Sequence, residues 1–313
     1  RCVTVGQDLI IGIALILFSI LSAYKVLYEN YNVSDFVLIN SYVLQFSIPL
    51  GSLGFILSNF RGQLIHMEKV IELLSCKPSI KDGEESLQII DKKLTVSCKD
   101  IYFEYEPKRP ILKGISFDLL PGKTLAIVGS SGSGKSTIAS LLMRFYECKS
   151  GEILINKQNI YTLKQESFFK HLGAVSQDIT LFNDSLKNNL TYGNPSVSDE
   201  MLDEVIKLTL LDSFVHALPD GLETTVGERG LALSTGEKQK IGIARVLLKQ
   251  PSFYIFDEAT SSLDVETEKK IMQNIKNVTK NATVLIIAHR LSTIRSADEI
   301  LVFDKGKIVE VGT

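Results

Sequence analysis

The sequence predicts an α/β domain organised around a glycine-rich phosphate-binding loop and preceded by two membrane-spanning α-helices. Three observations carry this reading. Residues 9–60 hold two long apolar stretches almost free of charge. From Leu94 onward, short apolar runs of strand length alternate with amphipathic helical runs, the pattern of an α/β domain. One strand-to-helix junction in that region reads Gly129-Ser130-Ser131-Gly132-Ser133-Gly134-Lys135-Ser136-Thr137.

Bulk properties bound the possibilities. A chain of 313 residues has room for about two domains. Net charge is −2 and the isoelectric point is near 6.2, so there is no basic excess of the kind nucleic-acid binders carry. A mean hydropathy of +0.15 beside 22% charged residues describes an apolar segment joined to an ordinary globular domain. Cys2, Cys76, Cys98 and Cys148 lie far apart and form no C-x-x-C pair. That spacing argues against a zinc site or a disulfide framework and for free thiols in a reducing compartment. The chain opens on Arg1 and closes on Val311-Gly312-Thr313, which reads as a fragment of something longer.

The first apolar stretch has no charge from Leu9 to Tyr24 and, with Lys25-Val26-Leu27-Tyr28, reaches about 20 residues, the length of a bilayer-crossing helix. An acidic loop, Glu29 to Asp35, follows. Phe36 to Phe60 is again uncharged but includes Asn40, Ser41, Gln45, Ser47, Pro49, Gly51 and Ser52. Those residues suit a helix facing other helices or a water-filled path better than one facing lipid. Leu64, Ile65, Met67, Val70, Ile71, Leu73 and Leu74 continue the helical period beyond the apolar part. The expected organisation is a membrane segment over 1–75, with helices over about 6–28 and 35–75, a polar linker over 76–93, and the α/β domain over 94–313. Arg61, His66 and Lys69 follow the second helix, so the positive-inside rule puts the α/β domain on the cytoplasm-like side. Helices packed in a soluble core remain the competing reading of residues 9–60.

Within 94–313, strands are expected at 94–98, 101–105, 115–119, 124–128, 152–155, 172–176, 252–256, 283–288 and 299–303. Helices are expected at 135–146, 200–208, 236–249, 266–277 and 292–296, and a hairpin turning at Asp304-Lys305-Gly306 ends the chain. The strand 124–128 feeds the G-x4-G-K-S run, which opens a helix. In that context the glycines turn backbone N–H groups inward around phosphates, and the helix N-terminus adds partial positive charge. Lys135 is expected to reach the β- and γ-phosphates of a nucleoside triphosphate, and Ser136 to ligate Mg²⁺. A second apolar strand, Phe253-Tyr254-Ile255-Phe256, ends in Asp257-Glu258. Asp257 fits a magnesium carboxylate and Glu258 a general base for the attacking water.

These motifs, taken in order, make the α/β region resemble the ATP-binding domain of the ABC transporter superfamily. The resemblance implies a mixed sheet with a helical subdomain, bound ATP and Mg²⁺, and transport driven by ATP hydrolysis. It assigns Tyr105, in Phe103-Glu104-Tyr105, to adenine stacking, and Gln177, in Val175-Ser176-Gln177-Asp178, to a magnesium-touching loop that senses the membrane part. Thr225 to Gly230 matches an exporter-type coupling segment. Leu233-Ser234-Thr235-Gly236-Glu237 matches the family signature, so Ser234, Thr235 and Gly236 would face the γ-phosphate held by a second subunit. Ser262-Leu263-Asp264 matches a dimer-contacting loop, and His289, in Ala288-His289-Arg290, a γ-phosphate switch histidine. The family usually has glycine at Thr235; a Cβ and hydroxyl there crowd a backbone meant to approach phosphate and are expected to alter rate or affinity. Ser130 and Ser262 are milder departures.

Within that superfamily, Gln177 to Leu186, Asn189 to Gly193, Gly6-Gln7, Asn40, Gln45, Pro49-Leu50 and Leu53-Gly54 are similar to the mitochondrial iron–sulfur-cluster and heavy-metal-tolerance group, which has bacterial relatives. That implies a half-transporter working as a dimer, here expected to be a homodimer, in a mitochondrial or related organellar inner membrane or a bacterial inner membrane, with the ATPase domain on the matrix or cytoplasmic side. Its cargo would be glutathione-linked sulfur or metal compounds, contacted by Gln7, Asn40 and Gln45; helix–helix packing is the other reading of those three. Thr4, where the group often has asparagine, weakens the cargo inference. Export of peptides, lipids or drugs is the alternative, and a non-transporting or degenerate ATP-binding regulator is the alternative of another class. Lys135, Asp257, Glu258 and His289 together argue against degeneracy.

Overall fold

The structure is a computed structural model that describes residues 2–29, 32–89, 93–228, 230–288, 290, 294–295 and 297–313. The chain divides into two compact units, Arg1–Ser79 and Ile80–Thr313.

The first unit is a pair of helices, α1 (Cys2–Tyr28) and α2 (Val33–Ser75). At 43 residues, α2 extends roughly 65 Å at about 1.5 Å per residue. Its first turn is closed by the Asp35 carboxylate, which accepts from the Asn32 N–H at 2.9 Å. The two helices meet through small polar groups: Ser19 Oγ donates to Asn40 Oδ1 at 2.6 Å, and Ser22 is buried nearby. Leu9, Ile10, Ile16, Leu17 and Ile20 are left largely exposed. Among the described residues, Leu9–Tyr28 is the segment long and apolar enough to cross a membrane. Val33–Phe46, at the start of α2, is a second, shorter apolar run among the described residues.

The second unit begins with β1 (Val96–Glu104), β2 (Pro110–Leu119), β3 (Thr124–Gly129), α3 (Lys135–Leu142), β4 (Ser150–Ile155), β5 (Gln158–Asn159), α4 (Gln165–Phe169) and β6 (Leu172–Val175). A helical stretch follows: β7 (Asp184–Ser185), α5 (Leu186–Thr191), α6 (Asp199–Leu208), α7 (Asp212–Ala217), β8 (Thr225–Val226) and α8 (Thr235–Lys249). The chain then returns through β9 (Phe253–Asp257), α9 (Val265–Val278), β10 (Thr283–Ile287), β11 (Glu299–Asp304) and β12 (Lys307–Gly312). The main sheet runs β12-β11-β3-β10-β9-β6, parallel except for the antiparallel edge strand β12. A separate antiparallel sheet, β2-β1-β4-β5, and the short β7-β8 ribbon complete it.

The central strands β9 and β10 are buried on both faces, as parallel strands must be, while the edge strand β12 is largely exposed. Along β9, Phe253 and Ile255 join the core shared with the antiparallel sheet and α3, while Tyr254 and Phe256 join the core under α6, α8 and α9. Residues 80–89, inside the stretch expected as linker, lie along this unit: Glu85 N–H donates to the Thr162 carbonyl, and Leu87 is buried.

The two strands expected at 94–98 and 101–105 are one strand with a bulge, because Asp100 takes a left-handed φ of 47° and the register slips between Cys98 and Ile101. The helix expected over 135–146 stops at Leu142; Arg144 turns left-handed and sends its guanidinium to the Leu163 carbonyl at 2.7 Å. The short helices α4, α5 and α7 carry too few turns to show a period. The helix expected at 292–296 lies mostly outside the described residues.

One buried side chain ties the helical stretch together. Asn189 is fully buried on α5. Its Oδ1 accepts from Phe182 N–H at 2.9 Å and from Arg245 of α8 at 2.7 Å, and its Nδ2 donates to the carbonyls of Phe182 and Ser185 at 3.0 Å each. Asn189→Ala orphans several buried groups and is expected to cost about 2–3 kcal/mol, whereas Lys187→Ala, which breaks the exposed pair with Asp199, costs at most about 0.5 kcal/mol. Thermal unfolding of both variants beside the parent checks the contrast.

Candidate functional site

The site is assembled on the C-terminal edge of the main sheet, where β3, β10 and β9 run side by side. The loop leaving β3 turns at Gly132 (φ 77°) and Gly134 (φ 106°), conformations a Cβ disfavours. A Cβ on Gly134 would also come within 2.7 Å of Leu112, whereas the space around Gly132 is open for at least 4 Å, room for a phosphate against the backbone. Lys135, the first residue of α3, is only 4% exposed, and its Nζ folds back onto the carbonyls of Gly129 at 3.0 Å and Ser130 at 2.9 Å. Burial pulls its pKa below the ordinary lysine value, opposed by the carboxylates of Glu258 and Asp257. Ser133 Oγ is buried inside the loop with no hydrogen-bond partner among the described residues. Ser130 and Ser131 are exposed on its rim. An inward ammonium, an orphaned hydroxyl and an open backbone nest are the features a triphosphate would satisfy.

Asp257 ends β9, two strands from the loop, and its Oδ1 accepts from Ser136 Oγ at 3.2 Å. Residues 121 positions apart thus place two hard oxygen donors together, which fits Mg²⁺. Glu258, next in the chain, takes a left-handed φ of 51°, a strained conformation for a non-glycine residue, held by its N–H donating to the Ile287 carbonyl at 2.9 Å. The side expected to receive adenine is aromatic. Tyr105 is half exposed, packs edge-on against Phe103 and Tyr146 at 4.8 and 5.1 Å, and donates its hydroxyl to Thr137 at 3.3 Å.

The segment after Glu258 is pinned from both sides. From α8, Gln239 donates to Ser261 Oγ and accepts from Ser262 N–H, each at 3.0 Å. Arg290 donates to the carbonyls of Leu263 and Ser261 at 2.8 and 3.0 Å and pairs at 2.8 Å with the buried Glu268, which also accepts from Thr260. Asp264 caps α9 through the N–H groups of Glu266 and Thr267. Gln239, Glu268, Arg290 and Tyr146 were not expected from the sequence, since each works by packing beside a motif residue and none carries a spacing of its own.

The other expected residues lie apart. Gln177 is exposed just beyond β6, in a bend shaped by Ser176 Oγ donating to the Asp178 carbonyl. His289 is outside the described residues. Ser234 is the N-cap of α8 and Thr235 its exposed first residue; among the described residues, no hydrogen bond joins Ser234, Thr235 or Gly236 to the phosphate loop. In the helix pair, Asn40 spends its carboxamide on Ser19 and on the Phe36 carbonyl, Gln45 is exposed beside Tyr42 and Ser41, and the side chain of Gln7 is outside the described set.

The family description "ABC transporter" matches residues 112–261. The chain is 44% identical over 310 residues to "Iron-sulfur clusters transporter ABCB7, mitochondrial" of Homo sapiens, covering 98% of this chain and 41% of that protein. It is 41% identical over 307 residues to "Heavy metal tolerance factor 1" of Caenorhabditis elegans, covering 98% and 38%. The solved "Structure of a bacterial Atm1-family ABC exporter with ATP bound" is similar at a TM-score of 0.85 and 39% identity, over 99% of this chain and 55% of that one. The chain thus spans less than half the length of these two curated relatives.

Removing the buried ammonium tests the phosphate site. Lys135→Ala is expected to lower ATP turnover roughly 100-fold or more. Steady-state ATPase rates, with ATP-analogue binding measured in parallel, check it.

Proposed function

The chain belongs to the ABC transporter superfamily, and from that premise we propose that it hydrolyses ATP to drive export of glutathione-linked sulfur or metal compounds across a membrane. The observation that carries the hydrolytic part is the contact of Ser136 with Asp257, with Lys135 and Glu258 beside it. The loop N–H groups and Lys135 would bind the β- and γ-phosphates, and Tyr105 would stack on adenine. Ser136 and Asp257, with Gln177, would hold Mg²⁺, which when bound neutralises charge on the phosphates. Glu258 would take the proton of the attacking water, and His289 would contact the γ-phosphate. Asp257 is buried and tied to Ser136, whereas Glu258 is partly open, the arrangement expected if one holds a cation and the other meets water.

The assembly we propose is a homodimer of half-transporters in the lipid of a mitochondrial-type or bacterial inner membrane. Each nucleotide would lie between the phosphate loop of one copy and Ser234, Thr235 and Gly236 of the other. α1 supports the membrane placement through its exposed apolar surface. The cargo rests on similarity to relatives whose names speak of iron–sulfur clusters and heavy-metal tolerance.

Two measurements on the full-length protein in lipid test these parts separately. Glu258→Gln is expected to lower turnover by about 10²–10⁴ while leaving ATP binding in place, and unchanged turnover would remove the general-base role. Oxidised glutathione is expected to stimulate the magnesium-dependent ATPase; stimulation by lipid or peptide and by no thiol compound would replace the cargo class and leave the exporter reading standing.

A further inference from the structure

A group of three rings stands beside the phosphate loop and is built from two segments of the chain. Phe103 lies on β1 and Tyr105 just past its end, while Tyr146 comes from the turn after α3. Tyr105 is nearly perpendicular to both neighbours, 4.8 Å from Phe103 at 89° and 5.1 Å from Tyr146 at 85°, and Phe103 meets Tyr146 at 5.6 Å. Phe103 is buried, as a ring that only packs would be, whereas Tyr105 and Tyr146 are 50% and 44% exposed. The turn carrying Tyr146 is fastened on two sides. Tyr161 donates its hydroxyl to the Tyr146 carbonyl at 3.1 Å and accepts from the Cys148 N–H at 3.1 Å. Lys149 donates its N–H to the Tyr102 carbonyl at 2.9 Å, and its ammonium pairs with Glu104. Tyr105 in turn donates its hydroxyl to Thr137, in the first turn of α3, at 3.3 Å. The helix that opens on the phosphate loop thus reaches Tyr105 twice, through Thr137 at its start and through Tyr146 in the turn beyond its end.

We propose that Tyr146 is a positioning residue for the nucleobase: together with Thr137 it fixes the ring of Tyr105 relative to the phosphate loop, so that base and phosphates are gripped at one set spacing. This rests on the reading of Tyr105 as the ring that stacks on adenine. Tyr146 touches no reacting atom and acts through Tyr105. A half-exposed ring without such neighbours would have to be ordered by each nucleotide that binds, and the rotamer freedom lost at that moment would subtract from the affinity. Perpendicular contacts with two rings and a bond from the hydroxyl order it beforehand. The effect is confined to the base, because the loop N–H groups and Lys135 hold phosphates without help from Tyr105.

Equilibrium binding to the full-length protein in lipid provides the test, with ATP and inorganic tripolyphosphate as probes and a magnesium chelator to prevent hydrolysis. In Tyr146→Ala the Kd for ATP is expected to rise about two- to tenfold, the range of one aromatic pair, while the Kd for tripolyphosphate, which has no base, stays at the parent value. Tyr146→Phe keeps the ring and the carbonyl that Tyr161 holds, and should bind both probes as the parent does. With magnesium present, the KM for ATP should follow the Kd, and kcat should change by less than about twofold. In a Tyr105→Ala background, Tyr146→Ala should add nothing. An unchanged ATP Kd in Tyr146→Ala overturns the proposal. An equal loss for both probes does so too, since the damage is then to the phosphate loop. A further loss of full size in the Tyr105→Ala background also overturns it, since Tyr146 then acts without Tyr105. The underlying reading has its own check: Tyr105→Ala should weaken ATP binding by roughly five- to a hundredfold, the range of base stacking, and leave tripolyphosphate unchanged. If ATP binding survives that change, Tyr105 does not stack on the base and the proposal falls with it; if it is lost while Tyr146→Ala does nothing, only the role of Tyr146 fails.

Discussion

The parallel register of β3, β10 and β9 is the constraint on which the site depends. β10 pairs Ile287 with Ile127 on one side and with Asp257 on the other, so the end of β9 is fixed level with the end of β3. The phosphate loop and the acidic pair consequently open on the same edge, and Ser136 meets Asp257 without either side chain having to stretch. A slip of one residue in either pairing would turn Asp257 to the opposite face of the sheet. The apolar residues of β9 and β10, buried on both faces, prevent that slip. The same register carries Glu258, whose strained φ is held by a bond to Ile287, the last residue of β10.

Much of this was legible in the chain because strong local rules apply to it. Glycines at 132 and 134 report backbone conformations that a side chain would oppose, and the lysine and serine that follow can be read without any knowledge of packing. That Ser136 and Asp257 would both serve Mg²⁺ was expected from the phosphate-loop motif and from an acid at a strand end; their direct contact was not. What the chain did not disclose is geometry decided by partners. The bulge at Asp100 merges two expected strands, and the left-handed Arg144 ends a helix early because its guanidinium is drawn to the Leu163 carbonyl. Asn40 was open to two readings, cargo contact or helix–helix packing, and nothing local to it named Ser19 as the residue that would take its oxygen.

Between the sheet and the helical stretch, buried polar groups do work that apolar packing does elsewhere. Asn189 and Arg245 satisfy one another and six backbone groups, of Thr180, Phe182, Asp184, Ser185 and Asn189. Desolvation lowers the pKa of Arg245, yet a guanidinium stays charged, so its ring of carbonyl acceptors compensates for its loss of water. This specifies one arrangement of the loop that follows Gln177, where an apolar contact would allow several.

The helix α8 carries two of these attachments along its length, beyond the cap at its tip. Ser234 is at its tip, Gln239 holds the segment after Glu258, and Arg245 holds the loop after Gln177. Over 15 residues it behaves as a rod of roughly 22 Å. A rod fastened at several points has no play between them, so a tilt at its tip displaces both loops together and by amounts set by their distance from the pivot. Mechanically, α8 is a lever with its load and its effort on the same bar, and the stiffness of its two side-chain fastenings sets how much of any motion at the tip arrives at the other end.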